Sequence, residues 1–550
     1  MKNQTAQTLK SKAISLLETG KLQQALKKAQ FGVKKFPKDS DFHAIAGFVL
    51  TELKQYKKSI PHFLEASRKK PDDPQFAENL ANALMQTGQI TRALTYAEQK
   101  VEQFPNNKEL RRVIDEIQRE GRNWRSIVEF TTHSLASDPD NPELLAKRAR
   151  AYLQMGFVEE STRDIERAYD LAPENIMVAF QKSLNLHHSG DKEMAFSILN
   201  DILNTQPHHA NALLQAATMA SKENVPQLMS AVEAAAAEKD EPLQELEFAK
   251  AHLVQKTDGI AAALPQFAKA NAVQHDAVPY DFAAEEEKLH KIIELFPEGT
   301  SSFEGIQSEA PLPIFVIGQP RSGTTLMEMM LSSAPDIAGC GELMLIPELT
   351  NNFHATDKVF DAEAAKDIAR SYRENMPNIP ENSIGFVDKL PHNYQRVGFI
   401  LAAFPNAKIV NMLRDPRDVG LSKWIRRFPA GGMNYASSLD AIAHSANLYR
   451  RYIAHWDTVF EGQILTLPYE ELVADPKTHS QRVAEFCGVD WHESMVHPEK
   501  NTKQVRTASV DQVRSKISTK SIGGWREVAD HITAMLDGFD PKLWPEYDFS

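Results

Sequence analysis

Cysteine is nearly absent: the 550-residue chain holds two, Cys340 and Cys487. Two thiols so far apart supply neither a disulfide framework nor the paired ligands of a zinc site, so ordinary thiols in a reducing compartment are expected. Long apolar runs are missing as well. The N-terminal stretch MKNQTAQTLKSKAISLLETG has no unbroken apolar region of the signal-peptide kind, and no later stretch reaches the ~18 apolar residues of a membrane-spanning helix. A soluble, cytoplasmic protein is the expectation. Nor is there an excess of positive charge. With 62 basic against 74 acidic residues the net charge is −12, which leaves no global basic field for nucleic acid or anionic lipid, although a local basic pocket stays open. A composition of 42% hydrophobic and 25% charged residues excludes collagenous and wholly disordered chains. At about 150 residues per domain the length suggests three or four domains.

What is present is a period. Pro37, Pro71, Pro105, Pro139, Pro173 and Pro207 each follow the last by 34 residues. The same interval links Gly20, Lys54, Gly88, Arg122, Gly156 and Gly190, and five residues later Ala25, Ser59, Ala93, Ile127, Ser161 and Ala195. A turn that favours φ > 0, a small residue where two helices approach, and a proline that stops the second helix read as a helix-turn-helix unit. The pattern resembles the tetratricopeptide repeat, with six units over residues 1–209, the fourth the most degenerate where Arg122 and Ile127 stand. Over 210–300, Val232–Ala237, Phe248–Gln255 and Ile260–Ala272 read as helices that have lost the signature and cap the array. Phe296–Pro313, rich in Pro, Gly, Ser and Thr, is the linker candidate.

From 308 to 550 short apolar runs alternate with helical stretches. Ile314–Ile317, Gly385–Val387, Lys408–Leu413 and Ile464–Leu467 read as strands of a parallel sheet. The expected fold is therefore an α solenoid followed by an α/β, P-loop-like domain.

The segment PIFVIGQPRSGTTLMEMMLSS runs from a strand through Gly318, Pro320 and Gly323 into an apolar helix near Thr324, the layout of an anion site built from backbone N–H groups and a helix N-terminus. Its glycines have P-loop spacing, but Thr324 stands where a nucleotide triphosphatase has lysine. That substitution argues against a kinase or NTPase, because the lysine normally serves the β/γ-phosphates. Arg321 with Thr324 and Thr325 suits a smaller anion such as a phosphosulfate.

PxxRSGTT after a strand resembles the 5′-phosphosulfate loop of sulfotransferases that use 3′-phosphoadenosine 5′-phosphosulfate (PAPS), and IVNMLRDPRDVGLSKW resembles their 3′-phosphate motif. Within that family the chain is most similar to tyrosylprotein sulfotransferases and to bacterial proteins that join tetratricopeptide repeats to a sulfotransferase domain. The resemblance implies that Arg321, Ser322, Gly323, Thr324 and Thr325 hold the phosphosulfate and that Arg414 and Ser422 bind the 3′-phosphate. It places Glu342 of GCGELMLIPEL on the catalytic base, Lys389 of DKLP on the catalytic lysine, Ser509 of TASVDQV on a catalytic serine, and Tyr469 of LPYEEL on a nucleotide-side tyrosine. Ser521 and Trp525 of SIGGW would border the adenosine. Arg321, Lys389 and Ser509 would stabilise charge in the in-line transfer, and no metal is required.

Other roles stand beside these. Glu342 is also a candidate helix cap, Lys389 a solvated strand-end lysine, His392 an alternative base, and Asp415 with Arg417 a structural ion pair. Gly524 occupies the place of a nucleotide-binding lysine, which Lys520 or Arg526 would have to replace, and Leu343–Leu345 lacks the substrate-recognising arginine of the tyrosylprotein enzymes. The expected activity is sulfuryl transfer from PAPS to an acceptor hydroxyl, including tyrosine of a protein or peptide, with the repeat groove recruiting a protein partner. The alternative is a repeat scaffold with an inactive sulfotransferase-like domain.

Overall fold

The computed structural model describes residues 5–87, 93, 96, 97, 99, 100, 103, 104, 124–155, 157–238, 243–277, 279–300, 310–355, 360–428, 433–501 and 516–549. They fall into two compact units, Met1–Ser137 and Asp138–Ser550, so the division lies inside the repeats rather than after them.

The first unit is helical, with Ala6–Glu18, Leu22–Lys35, Ser40–Glu52, Tyr56–Lys69, Pro74–Gln86 and Trp124–Ser137. The 34-residue interval recurs in three dimensions. Helices in both units end at Lys35, Lys69, Ser137, Leu171 and Thr205, each two residues before a periodic proline. Gly20, Lys54 and Gly190 have left-handed φ of 71°, 55° and 97°, as the turn reading requires, while Gly88, Arg122 and Gly156 lie outside the described residues. Ala25, Ser59, Ala93, Ser161 and Ala195 are completely buried, and even Ile127 of the degenerate unit is buried. One periodic device escaped the sequence reading. Asp39, Asp73, Asn141 and Asn175 share the same register, and each side chain accepts at 3.1 Å from a backbone N–H in the first turn of the helix that follows, that of Asp41, Gln75, Leu144 and Met177 respectively. With His209, which accepts from Ala212 N–H at 3.1 Å in the same register, these caps fix where the helices that follow begin.

The second unit continues with helix pairs from Pro142–Met155 to Ile260–Ala277 and a further helix, Phe282–Leu295, before the sheet. The sheet has five parallel strands, β1 (Leu312–Gly318), β2 (Ile337–Gly339), β3 (Gly385–Asp388), β4 (Lys408–Leu413) and β5 (Ile464–Pro468), in the order β2-β3-β1-β4-β5. Four of them are the runs read as strands; β2, three residues long, is too short to stand out. Ile314, Phe315, Val316 and Ile317 of β1 have no exposed surface, as a central parallel strand covered on both faces demands. Because β3 and β4 flank β1, the chain reverses its winding there and opens a crevice at the carboxyl ends of the strands.

The repeats of this unit and the sheet share one core. A single buried cluster runs from Leu199, Leu213, Phe248 and Phe267 through Phe296 to Phe315, Phe386, Trp456 and Trp544. Asn271, on helix Ile260–Ala277, donates at 2.8 Å to the Trp424 carbonyl. Phe296, the first residue of the linker candidate, is itself core: its ring meets Phe399 edge-on at 5.0 Å and Trp456 at 5.7 Å, against a backbone where Gly398 has no side chain to collide with it. Phe296→Ala is expected to destabilise this unit by about 3–5 kcal/mol, read as a lower urea midpoint by tryptophan fluorescence.

Candidate active site

Every strand delivers a candidate residue just past its carboxyl end: Arg321 after β1, Glu342 after β2, Lys389 after β3, Arg414 after β4 and Tyr469 after β5. The turn after β1 is made by Gly318 (φ 145°), Arg321 (φ 78°) and Gly323 (φ 98°). A side chain on Gly318 would stand 2.5 Å from the Met412 carbonyl oxygen, and one on Gly323 would stand 2.5 Å from the Tyr469 ring. The loop is thus pressed against the Met412 carbonyl of β4 and the Tyr469 ring, and Arg321, a non-glycine in left-handed backbone, carries strain of the kind found at functional sites.

Arg321 is buried, and its Nε–H donates to Ser422 Oγ at 3.0 Å. Arg414 donates to the Arg321 carbonyl at 3.1 Å and to the Ser521 carbonyl at 2.6 Å, and its guanidinium lies 4.6 Å over the Tyr469 ring. Tyr469 and Ser521 join through their hydroxyls at 3.0 Å. These five residues, with Ser322, Gly323, Thr324 and Thr325, form one cluster. Two of its polar atoms, Ser322 Oγ and Arg414 Nε, are buried without a hydrogen-bond partner. Burial, with Arg426 and Arg414 nearby, pushes Arg321 well below the usual guanidinium range. A confined group of cations with unfilled polar atoms fits an anionic ligand.

The second cluster surrounds Lys389, which has no exposed surface. Its Nζ donates to Glu342 Oε1 at 2.5 Å and stands 3.9 Å from Glu328 Oε2, so it is not a solvated strand-end lysine. Glu342 keeps 37% of its side chain exposed, and the adjacent helix begins only at Leu345, so its carboxylate serves Lys389 rather than a helix cap. The loop that carries Glu342 is sewn to β3: Lys389 N–H donates to the Gly341 carbonyl at 2.8 Å, Cys340 N–H to that of Val387 at 2.9 Å, and Leu343 N–H to Asp388 Oδ1. Burial pushes the Asp388 carboxyl up to about 8, against the opposite pull of the Tyr372 hydroxyl, which donates to it at 2.8 Å.

Other candidates separate. His392 Nε2 pairs with the Tyr435 hydroxyl at 3.1 Å. Arg417 grips Asp415 with Nε and Nη2, each at 2.9 Å, the structural ion pair expected, and lies 4.2 Å over the Trp525 ring. Lys520 and Arg526 are both exposed, and Arg526 lies over the Trp525 ring. Ser509 lies outside the described residues.

Three neighbours escaped the sequence reading. Glu328 accepts from Gly341 N–H at 2.7 Å while facing Lys389; it is the one acidic residue of the apolar helix Thr324–Leu331, which was the available signal. Asp418 accepts from Gly523 and Trp525 N–H groups at 2.7 and 3.1 Å and so fixes the turn that carries Trp525. Lys423, without exposed surface, donates to Gln319 Oε1 at 3.0 Å and ties the start of the loop to the helix of Ser422. No group of metal-ligating side chains occurs among the described residues.

Residues 313–493 match the Sulfotransferase family model. That match marks the C-terminal part of the chain as a sulfotransferase domain. Residues 11–74 and 52–108 match the tetratricopeptide repeat, which makes the chain a repeat-bearing enzyme of the sulfuryl-transferase class. An uncharacterized protein of Aquifex aeolicus (strain VF5) is 27% identical over 523 residues, covering 88% of this chain and 68% of its own. Protein-tyrosine sulfotransferase 2 of Gallus gallus is 26% identical over 282 residues (43% of this chain, 71% of that one), and protein-tyrosine sulfotransferase A of Caenorhabditis elegans 25% over 260 (44% and 68%). Among solved structures, the sulfotransferase domain of the Synechococcus PCC 7002 olefin synthase aligns with 45% of this chain and 99% of its own at 20% identity and a TM-score of 0.32. No helix among the described residues of this sulfotransferase is long and apolar enough to cross a membrane.

Burial pushes Lys423 down to about 7. Between that value and the ordinary lysine range the unfolded chain holds a proton that the folded chain has released, so folding loses stability as pH falls from about 10 to 7. Lys423→Met removes this contribution: relative to wild type, its melting temperature is expected to gain more at pH 7 than at pH 9.5, as read by circular dichroism.

Proposed function

We propose that the sulfotransferase domain moves a sulfuryl group from PAPS to the phenolic hydroxyl of tyrosine in a protein or peptide. The observation that carries this reading is the joining of Arg321, Ser422, Arg414, Ser521 and Tyr469, drawn from four separate segments, into one cationic cluster beside the loop. PAPS supplies the activated sulfonate and a 3′-phosphate; Arg414 and Ser422 hold the phosphate, and the loop 321–325 with Arg321 holds the phosphosulfate. Trp525, held by Arg417 and Asp418, borders the base.

The catalytic work falls to the other cluster. Glu342, partly open to solvent, takes the acceptor proton, and Lys389 stabilises charge on the leaving oxygen. Their ion pair at 2.5 Å joins the two side chains in the resting protein, and Lys389 must turn from Glu342 toward the nucleotide for the carboxylate to act as base. Ser509 is the remaining candidate for this set. The six-unit division over 1–209, the cap over 210–300 and the catalytic domain from 308 remain the proposed organisation, with the repeats recruiting a protein partner. Two buried free thiols fit a reducing, cytoplasmic setting.

Arg414→Ala is expected to weaken binding of adenosine 3′,5′-bisphosphate at least tenfold by calorimetry, since a charge-assisted contact contributes about 1.5–3 kcal/mol. Glu342→Gln is expected to leave that binding within about twofold and to lower transfer from labelled PAPS to a tyrosine peptide by about 10²–10⁴-fold. Unchanged turnover in Glu342→Gln would move the base elsewhere, to His392 first.

A further inference from the structure

The net charge of −12 hides a strong division along the chain. Residues 1–70 hold 15 basic and five acidic residues, while residues 71–550 hold 47 and 69. Three of the five acids are already taken up: Lys10 pairs with Asp39 and Asp41, Lys70 with Asp41, and Arg68 and Lys69 with Glu65. The helix Leu22–Lys35 contains no acidic residue at all.

The remaining charge has a direction. Helix Leu22–Lys35 packs between Ala6–Glu18 and Ser40–Glu52, and Tyr56–Lys69 packs between Ser40–Glu52 and Pro74–Gln86, so the sides of both helices turned from these neighbours form the outer face of the first unit. On the first of them Lys27, Phe31 and Lys34 recur at i, i+4 and i+7, and on the second Lys57, Leu64 and Arg68 at i, i+7 and i+11, each set on one side. All six are exposed, Phe31 at 51% and Leu64 at 49%. Among the described residues no carboxylate lies at ion-pair distance from Lys27, Lys34 or Lys57.

We infer that this outer face docks the protein on an anionic lipid bilayer. Charge complementarity supplies the attraction. The basic residues are lysine in 14 of 15 cases, which suits a diffuse negative surface better than the forked recognition of single phosphates or carboxylates that arginine provides. Phe31 and Leu64 project from helices on an outer face, where they enter the interfacial layer between flanking lysines as apolar residues of surface-bound helices do. The attachment is peripheral, needs no spanning helix, and is independent of the reaction proposed for the C-terminal domain.

The test is co-sedimentation of the full chain with phosphatidylcholine vesicles and with vesicles that also contain phosphatidylserine. Binding is expected only to the anionic vesicles and is lost as salt is raised. The triple variant K27E/K34E/K57E, with unchanged circular dichroism and melting, is expected to bind them at least about tenfold more weakly. F31S/L64S is expected to weaken binding while leaving its salt dependence intact. Equal binding to both vesicles, full binding by the triple variant, or preference for an acidic polypeptide or an RNA in competition with the vesicles would overturn the assignment.

Discussion

Positive charge gathered at the carboxyl ends of a parallel sheet is the constraint around which the C-terminal half is organised. Arg321, Lys389 and the pair Arg414 and Lys423 come from three segments; Arg321, Lys389 and Lys423 are buried and Arg414 is part-buried. Like charges in a confined volume repel, and burial adds the cost of lost hydration. The fold answers with oriented oxygens: the carbonyls of Arg321 and Ser521, the amide of Gln319, the hydroxyl of Ser422 and, for Lys389, the carboxylates of Glu342 and Glu328. Most of these acceptors are neutral, so the cluster keeps its attraction for an anion. Neutralising every cation internally would give a more comfortable protein and a poorer anion site.

The same economy explains the placement of the glycines. Gly318 and Gly323 leave room for the Met412 carbonyl and the Tyr469 ring, which lets the loop sit close against both with Arg321 facing Ser422. The helix Thr324–Leu331 then connects the two clusters, since it starts at the loop and, one turn on, offers Glu328 to Gly341 and Lys389. The Arg321 cluster and the Lys389 cluster are therefore joined by one short helix, and a displacement of the loop reaches Glu328 and Lys389 through its backbone.

Much of this was legible in the sequence, for reasons that differ from part to part. The repeats announced themselves because a helical hairpin of fixed length must place its turn, its close approach and its stop at fixed intervals, and chemistry restricts each to a few residue types. The four longer strands were visible as apolar runs, whereas β2 was too short to make one. Arg321, Arg414, Lys389 and Glu342 were marked by motif, but which partner each would find was not. The bond from Arg321 to Ser422 spans 101 residues and that from Lys389 to Glu342 spans 47, and nothing local encodes them. Lys423 was invisible for another reason: a lysine in a helix is ordinarily read as solvated, and only the packing around it reveals that it has no water.

The shared core has a consequence for how the protein is made. Helix Ile260–Ala277 is complete on the ribosome long before its partners: Asn271 waits for a carbonyl 153 residues further along. At about 5–20 residues per second, that is roughly 8–30 s during which Phe267 and its buried neighbours have no sheet domain to cover them. The N-terminal repeats, whose contacts are between neighbours in sequence, assemble as they emerge. The nascent chain thus passes through a stage with a finished solenoid at one end and an uncovered apolar face beside the ribosome, the stage at which a chaperone has most to protect.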